Sequence, residues 1–177
     1  MDDEPLTSSL ESLEYLGSAQ SLLDQIEELI GHSPFFEDLT HEDVGILCSY
    51  LKAYKANPGQ EIIREGDLDD FMLLVVSGSV NIVKIDSHGY LRPMSIVRAG
   101  TTLGEMSMID GEPRFASCVA IDTTVIAILN RDDMVKIILE HTTIGAKVLI
   151  KLITMLSNRL RTTSAQLIEY MERTDAV

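Results

Sequence analysis

Between residues 8 and 30, apolar side chains recur at helical steps: Leu10, Leu13, Leu16, Leu22, Leu23, Ile26, Leu29 and Ile30. The spacing predicts an amphipathic helix, capped by Ser8 or Ser9 and ended by Gly31. His32 to Phe36 form a Pro-containing break. Thr40 and Asp43 stand at capping-box distance, where a hydroxyl and a carboxylate satisfy two free amides reciprocally. A second helix is expected from there to about Tyr54, followed by an Asn57-Pro58-Gly59 turn.

From Glu61 the period shortens. Ile62-Ile63, Phe71–Val76, Val80–Ile85, Met94–Val97, Val119–Ile121 and Val125–Leu129 are short, apolar and rich in branched residues. Gly66-Asp67, Ser77-Gly78-Ser79 and Ser87-His88-Gly89 punctuate them. Short strands at regular spacing with turns between them indicate an all-β barrel or sandwich. The pattern then returns to a helical period, with a short helix over Asp132–Glu140 and a long one over Ile144–Met171. The expected fold class is therefore α+β: a mainly-β jelly-roll, cupin-like barrel flanked by N-terminal helices and a long C-terminal helix. The expected boundaries are a helical arm over 1–34, a barrel with flanking helices over 35–143, and a long helix with its tail over 144–177.

Charge sharpens this picture because it is uneven. The net charge is −14 over 177 residues, yet no Lys or Arg precedes Lys52. Residues 1–51 hold twelve carboxylates: Asp2, Asp3, Glu4, Glu11, Glu14, Asp24, Glu27, Glu28, Glu37, Asp38, Glu42 and Asp43. The other 126 residues hold sixteen acids and fourteen bases, a balance of −2. An anionic arm repels phosphate backbones, so nucleic acid is not an expected partner. The arm reads either as a solvated face or as a docking surface for a basic protein partner. There is no apolar run long enough to span a bilayer and no signal-peptide pattern, so a cytoplasmic protein with no membrane partner is expected. Cys48 and Cys118 lie apart in apolar stretches and read as buried free thiols. Neither they nor His32, His41, His88 and His141 have metal-site spacing, and no metal is expected. No nucleophile elbow, P-loop or paired catalytic spacing is present, so an enzyme is not expected.

One stretch carries candidate chemistry: LGEMSMIDGEPRFAS, residues 103–117. It places one carboxylate, Glu105, and one guanidinium, Arg114, in an otherwise apolar segment. A structural ion pair between the two is one reading of it. In order and separation, PGQEIIREGDLDDFMLLVVSGSVNIV at 58–83 and this stretch resemble the opening strands and the phosphate-binding cassette of the cyclic-nucleotide-binding domain family. The resemblance runs from about Phe35 to Met171, and it implies a ligand-binding set of Gly104, Glu105, Met106, Ser107, Arg114, Phe115 and Ala116. In that chemistry Arg114 supplies planar, permanently charged donors to a cyclic phosphate, and Glu105 accepts from the ribose 2′-OH. Gly104 lets the sugar approach the backbone. A helical turn over Glu105–Ile109 lends amides to the phosphate. Removing Arg114 from such a pocket costs on the order of 2–5 kcal/mol of binding.

The chain departs from the family after the arginine, where a small or hydroxyl residue is usual and Phe115 stands instead. A phenylalanine donates nothing to a phosphate, so either one bond is lost or backbone amides of Phe115 and Ala116 take it over. Core packing is the ordinary reading of a barrel Phe. Ser117 is a further hydroxyl of uncertain direction.

On the long helix, Leu149, Leu152, Leu156, Leu160, Thr163, Leu167 and Met171 form one stripe, the seam of a two-helix coiled coil or a face packed on the barrel. SNRLRTTSAQL at 157–167 resembles the dimerisation helix of the bacterial catabolite-activator (Crp/Fnr) subfamily. The resemblance implies a homodimer through 144–171, with Thr163 and Ser164 contacting the adenine amino group, one residue from each subunit. It also implies that Arg159 holds Glu105 and that cAMP is preferred over cGMP. The winged helix-turn-helix of that subfamily does not fit in Glu172–Val177. The expected function is therefore a stand-alone cAMP receptor that signals to a protein partner by moving the long helix and the arm. A receptor for cGMP or a cyclic dinucleotide, favoured by Phe115, and a ligand-free docking scaffold are the alternatives.

Overall fold

Phe71–Ser77, strand β4, is buried along both faces, and that fixes the layering of the molecule. Met72, Leu74 and Val76 point into one apolar core, while Phe71, Leu73 and Val75 point into another. A strand alternates its side chains between faces, so a continuous apolar run marks a strand covered on both sides. The structure, a computed structural model, describes residues 9–175.

Among the described residues, nine strands form two antiparallel sheets. With β1 Glu14–Ser18, β2 Lys52–Ala56, β3 Glu61–Ile63, β5 Ser79–Ile85, β6 Leu91–Arg98, β7 Thr102–Leu103, β8 Ser117–Ala120 and β9 Thr124–Asn130, the orders are β1-β2-β9-β4-β7 and β3-β8-β5-β6. The inner faces of both sheets enclose the barrel core of Ile62, Ile63, Leu73, Val75, Val80, Leu103, Cys118 and Ile126. This is the jelly-roll expected from the sequence. The outer face of the five-stranded sheet is covered by helices α2 His41–Tyr50, α4 Arg131–Glu140 and the first half of α5 Thr142–Asp175. Phe35, Phe36, Leu47, Ile137, Val148 and Leu152 fill that second core. The Thr40–Asp43 capping box is formed in both directions. Both cysteines are buried and free, and burial pushes each thiol up to about 12. No helix among the described residues is long and apolar enough to cross a membrane.

Two sequence expectations are corrected. Residues 8–30 are not one helix. Residues 9–12 form a 3-10 turn, β1 follows, then a second 3-10 turn over 19–22 and a short α1, Leu23–Glu27; Ser8 lies outside the described residues. Gly17 takes a φ of +102°, which no helix interior accommodates. Tyr15 stacks against Tyr54 at 5.1 Å, and β1 pairs along β2, capping an edge that is otherwise open. The apolar positions are divided accordingly: Leu13 enters the barrel core, and Leu22 and Ile26 enter the helical one. The second helix also stops at Tyr50, because Lys52–Ala56 pairs with both β1 and β9.

The acidic N-terminal region is partly spent inside the molecule. Lys151 of α5, itself buried, donates to Glu37 at 2.5 Å and lies 3.5 Å from Asp38. Lys147 pairs with Asp43 at 2.7 Å, and Lys55 pairs with Glu14. The Lys147 and Lys151 pairs fasten the first half of the long helix to the first turn of α2 and the segment before it, and the Lys55 pair joins β2 to β1.

Candidate functional site

Chain folding brings the cassette residues to one wall. β7 ends at Leu103, Gly104 turns with a φ of +80°, and Glu105–Asp110 forms the short helix α3 expected from the sequence. A side chain on Gly104 has no room: its Cβ would lie 2.7 Å from Arg114 Nη1 and 3.0 Å from Phe71 O. The glycine is thus required by the approach of the arginine and by the left-handed backbone. Arg114 Nη1 donates to Gly104 O at 2.9 Å, and its guanidinium stacks 4.2 Å from the centre of the Phe71 ring.

Arg114 and Glu105 are both buried, at 3% and 1% exposure, and they are not partners of one another in a direct ion pair. Glu105 is held instead by Arg159 of α5, 54 residues away in sequence, through its Oε1. Arg159 also donates to Thr102 O at 3.0 Å. Glu105 Oε2, Arg114 Nε and Arg114 Nη2 have no hydrogen-bond partner among the described residues. Burial raises the Glu105 carboxyl above the usual glutamate range, against the opposing pull of Arg159 and, more weakly, Arg114. Burial likewise lowers Arg114, opposed chiefly by the nearby Asp69. Buried polar atoms left unmatched by protein are costly, and in a native fold they mark a place built for something else to bind.

The cavity against these atoms has a volume of about 110 Å³ and is lined by Gly104, Glu105, Met106, Ser107, Arg114, Phe115 and Ala116, the whole expected set. It opens toward a larger space of about 720 Å³ between the barrel and α5. Phe115, Arg159 and Ala116 border both, and Leu156, Leu160 and Thr163 close the second from the helix side. Two donor-bearing nitrogens of Arg114 and one acceptor oxygen of Glu105 match a phosphate and a hydroxyl. Among the described residues, no group of three His, Cys, Asp or Glu side chains is placed to hold a metal ion.

Several expected positions differ in detail. Phe115 is not core: it is 54% exposed at the junction of the two spaces. Ser117 does not face the site, since its Oγ accepts from Glu65 N at 2.9 Å. Thr163 borders the larger space, but Ser164 does not, and both are exposed. The helical stripe departs from expectation only at its start. Leu152 is fully buried in the helical core and Leu149 packs against it, while Ile150 and Ile153 are exposed in their place; Leu160, Leu167 and Met171 of the expected stripe are exposed.

Sequence reasoning missed Arg131 and Lys84. Arg131, the first residue of α4, donates to Met108 O at 2.7 Å and Ser107 O at 2.9 Å, closing the carbonyl end of α3. A basic residue opening a helix is an unfavourable choice for the helix dipole, and that was the available signal.

Comparison with known proteins agrees with this geometry. A family model described as cyclic nucleotide-binding domain matches residues 54–141. The chain is 34% identical over 106 residues to the cyclic AMP receptor protein of Thermus thermophilus, covering 60% of this chain and 49% of that one. It is 29% identical over 124 residues to the cAMP-dependent protein kinase regulatory subunit of Yarrowia lipolytica, covering 68% of this chain and 31% of that one. It thus spans about half or less of the length of these relatives. Among solved structures, a cyclic nucleotide-binding domain from Methylobacillus flagellatus superposes with a TM-score of 0.81 at 36% identity, covering 92% of each chain. The catabolite activator protein of Thermus thermophilus gives 0.70 at 32%, covering 76% of this chain and 62% of that one. With the cassette assembled around an unmatched arginine and carboxylate, the chain belongs to the cyclic-nucleotide-binding domain family.

Proposed function

We propose that this chain is a cAMP receptor and not a catalyst, acting as a homodimer through α5 and signalling to a protein partner. The observation that carries the reading is the set of unmatched buried atoms, Arg114 Nε and Nη2 and Glu105 Oε2, on two residues that line one cavity. Arg114 binds the cyclic phosphate, and Glu105 accepts from the ribose 2′-OH while Arg159 fixes its orientation. Gly104, Met106, Ser107, Phe115 and Ala116 line the sugar-phosphate space. The base lies in the larger space, with Thr163 beside it. Ser164 stands next to Thr163 and outside the lining of that space, which fits a residue offered to the partner subunit's site.

The exposed stripe of Ile150, Ile153, Leu160, Leu167 and Met171 supports pairing of two copies, since steps of three, four and seven residues keep to one coiled-coil seam. Arg159 links the site to this helix. Ligand bound at Glu105 and Arg159 biases the angle at which the outer half of α5 leaves the barrel. The inner half is tied by Lys147 and Lys151 to Asp43, Glu37 and Asp38, so movement there reaches the acidic N-terminal region. This region is the surface proposed for a basic protein partner.

Phe115 favours a second reading, a receptor for cGMP, because an exposed ring at the mouth of the site offers a stacking surface to any purine. Titration calorimetry with cAMP and then cGMP separates the two. Saturable cAMP binding near one per chain, with weaker cGMP and sharply weakened binding by Arg114→Gln, supports the cAMP reading. Tighter cGMP supports the second, and binding undiminished in Arg114→Gln removes both. The loss at Arg114 is expected to be about 2–5 kcal/mol, or roughly 30-fold to several-thousand-fold in Kd.

A further inference from the structure

Residues 114–117 are held by a bracket that lies outside both cavities. Arg114 N donates to Asp67 O at 2.8 Å, and Gly66 N donates to Arg114 O at 2.9 Å. Glu65 N donates to Ser117 Oγ at 2.9 Å. Lys84 of β5 donates from Nζ to Phe115 O at 2.6 Å, and the same ammonium lies 4.1 Å from the centre of the Phe115 ring. Glu65 completes the bracket, accepting from Lys84 Nζ at 2.8 Å and from Ile85 N at 3.0 Å. Neither Lys84 nor Glu65 borders the cavities, whereas Phe115 and Ala116 border both.

The peptide joining Phe115 to Ala116 is trans, so its C=O and its N–H point in opposite directions. Its oxygen faces Lys84. Its N–H, on Ala116, therefore points away from the lysine. A cation bound to the carbonyl draws electron density through the amide and makes the N–H a stronger donor, because hydrogen bonds in a chain polarise one another. At the position where a hydroxyl would donate directly, this chain has Phe115, which has no donor to give.

We propose that Lys84 is a positioning residue of the anion site, binding the Phe115 carbonyl so that the Ala116 amide is aimed and polarised toward the phosphate in place of the missing hydroxyl. The inference rests on the cyclic-nucleotide reading above. Lys84 does not touch the ligand. Its effect passes through one peptide, and Glu65 opposes it by neutralising part of the lysine's charge. That opposition gives a signature that a merely structural ion pair lacks.

The test measures cyclic-nucleotide affinity by calorimetry for the wild-type chain, Lys84→Met and Glu65→Gln, with a thermal melt of each sample. Lys84→Met keeps the aliphatic stem and is expected to weaken binding about tenfold. Glu65→Gln is expected to bind as tightly as wild type or tighter, because the lysine then acts unopposed on the carbonyl. Lys84→Arg retains a cation and is expected to recover most of the loss. Equal losses from Lys84→Met and Glu65→Gln would mean a structural ion pair and overturn the proposal. So would Lys84→Met binding within twofold of wild type, with the receptor reading left standing. A folded wild-type chain that binds neither cAMP nor cGMP would remove the receptor reading itself, and this inference with it.

Discussion

Replacing Arg159 by methionine tests the electrostatics of the site without touching Arg114. Glu105 is 1% exposed, and Arg159 is the largest influence holding its carboxyl down against burial. Breaking a buried pair by removing one partner costs about 3–5 kcal/mol. The Arg159 side chain is 45% exposed, so water already screens part of the attraction and about 2–3 kcal/mol is the better figure at neutral pH. The sign with pH follows from the raised carboxyl. A group that holds its proton more tightly in the folded state than in the unfolded chain, where glutamate titrates near about 4.3, contributes stability that is fully present below that value. The contribution is lost as pH rises through the higher folded value. Arg159→Met raises the folded value further, so the deficit relative to wild type is small in acid and widens toward neutrality. Urea unfolding of both proteins at steps between about pH 4.5 and pH 8 reads it. With a slope of about 2 kcal/mol/M, the midpoint deficit at neutral pH is about 1–1.5 M. Taking the difference between the two proteins cancels the titration of the other carboxylates. A deficit of equal size at every pH, or one that shrinks as pH rises, would refute the account of Glu105. In a Glu105→Gln background the pH dependence of the deficit should vanish.

Gly104→Ala should destabilise the fold by about 1–3 kcal/mol, because alanine is strained at a φ of +80° and its Cβ meets Arg114 Nη1; a denaturant titration checks it, and cyclic-nucleotide affinity should fall in the same variant as the guanidinium is pushed aside. Leu160→Glu places a charge in the middle of the exposed stripe of α5. On the proposed pairing through α5, sedimentation velocity should show the wild-type chain as a dimer and this variant as a monomer at the same concentration, with melting little changed, since Leu160 makes no part of either core.

The barrel was legible where side chains carry their environment in their own chemistry. β4 reads as an unbroken apolar run because both faces are covered, and β9 repeats the pattern with Ile126 and Ile128 inward and Ala127 and Leu129 toward the helices. The cassette was legible because glycine, carboxylate and arginine there are each dictated by the site. The segment 8–30 was not, because its leucines satisfy a helical period while serving two different cores, and the pairing partner that makes a strand of Glu14–Ser18 lies more than thirty residues on. The start of the α5 stripe, Leu149 and Leu152, was misplaced for a related reason. A helix with apolar residues at Leu149, Ile150, Leu152 and Ile153 has two candidate faces, and only the position of the helical core decides which one sinks. Lys84 was invisible because its role is defined by the carbonyl and ring of Phe115 and the carboxylate of Glu65, two loop residues distant from it in sequence.

The double-faced strand β4 has a further consequence. Its odd and even residues belong to different cores, so neither core can be dismantled while the other keeps its wall. β9 pairs along nearly its whole length and is shared in the same way. Barrel and helical layer must therefore melt together as a single cooperative unit. The same shared wall couples the barrel core stiffly to the helices behind it.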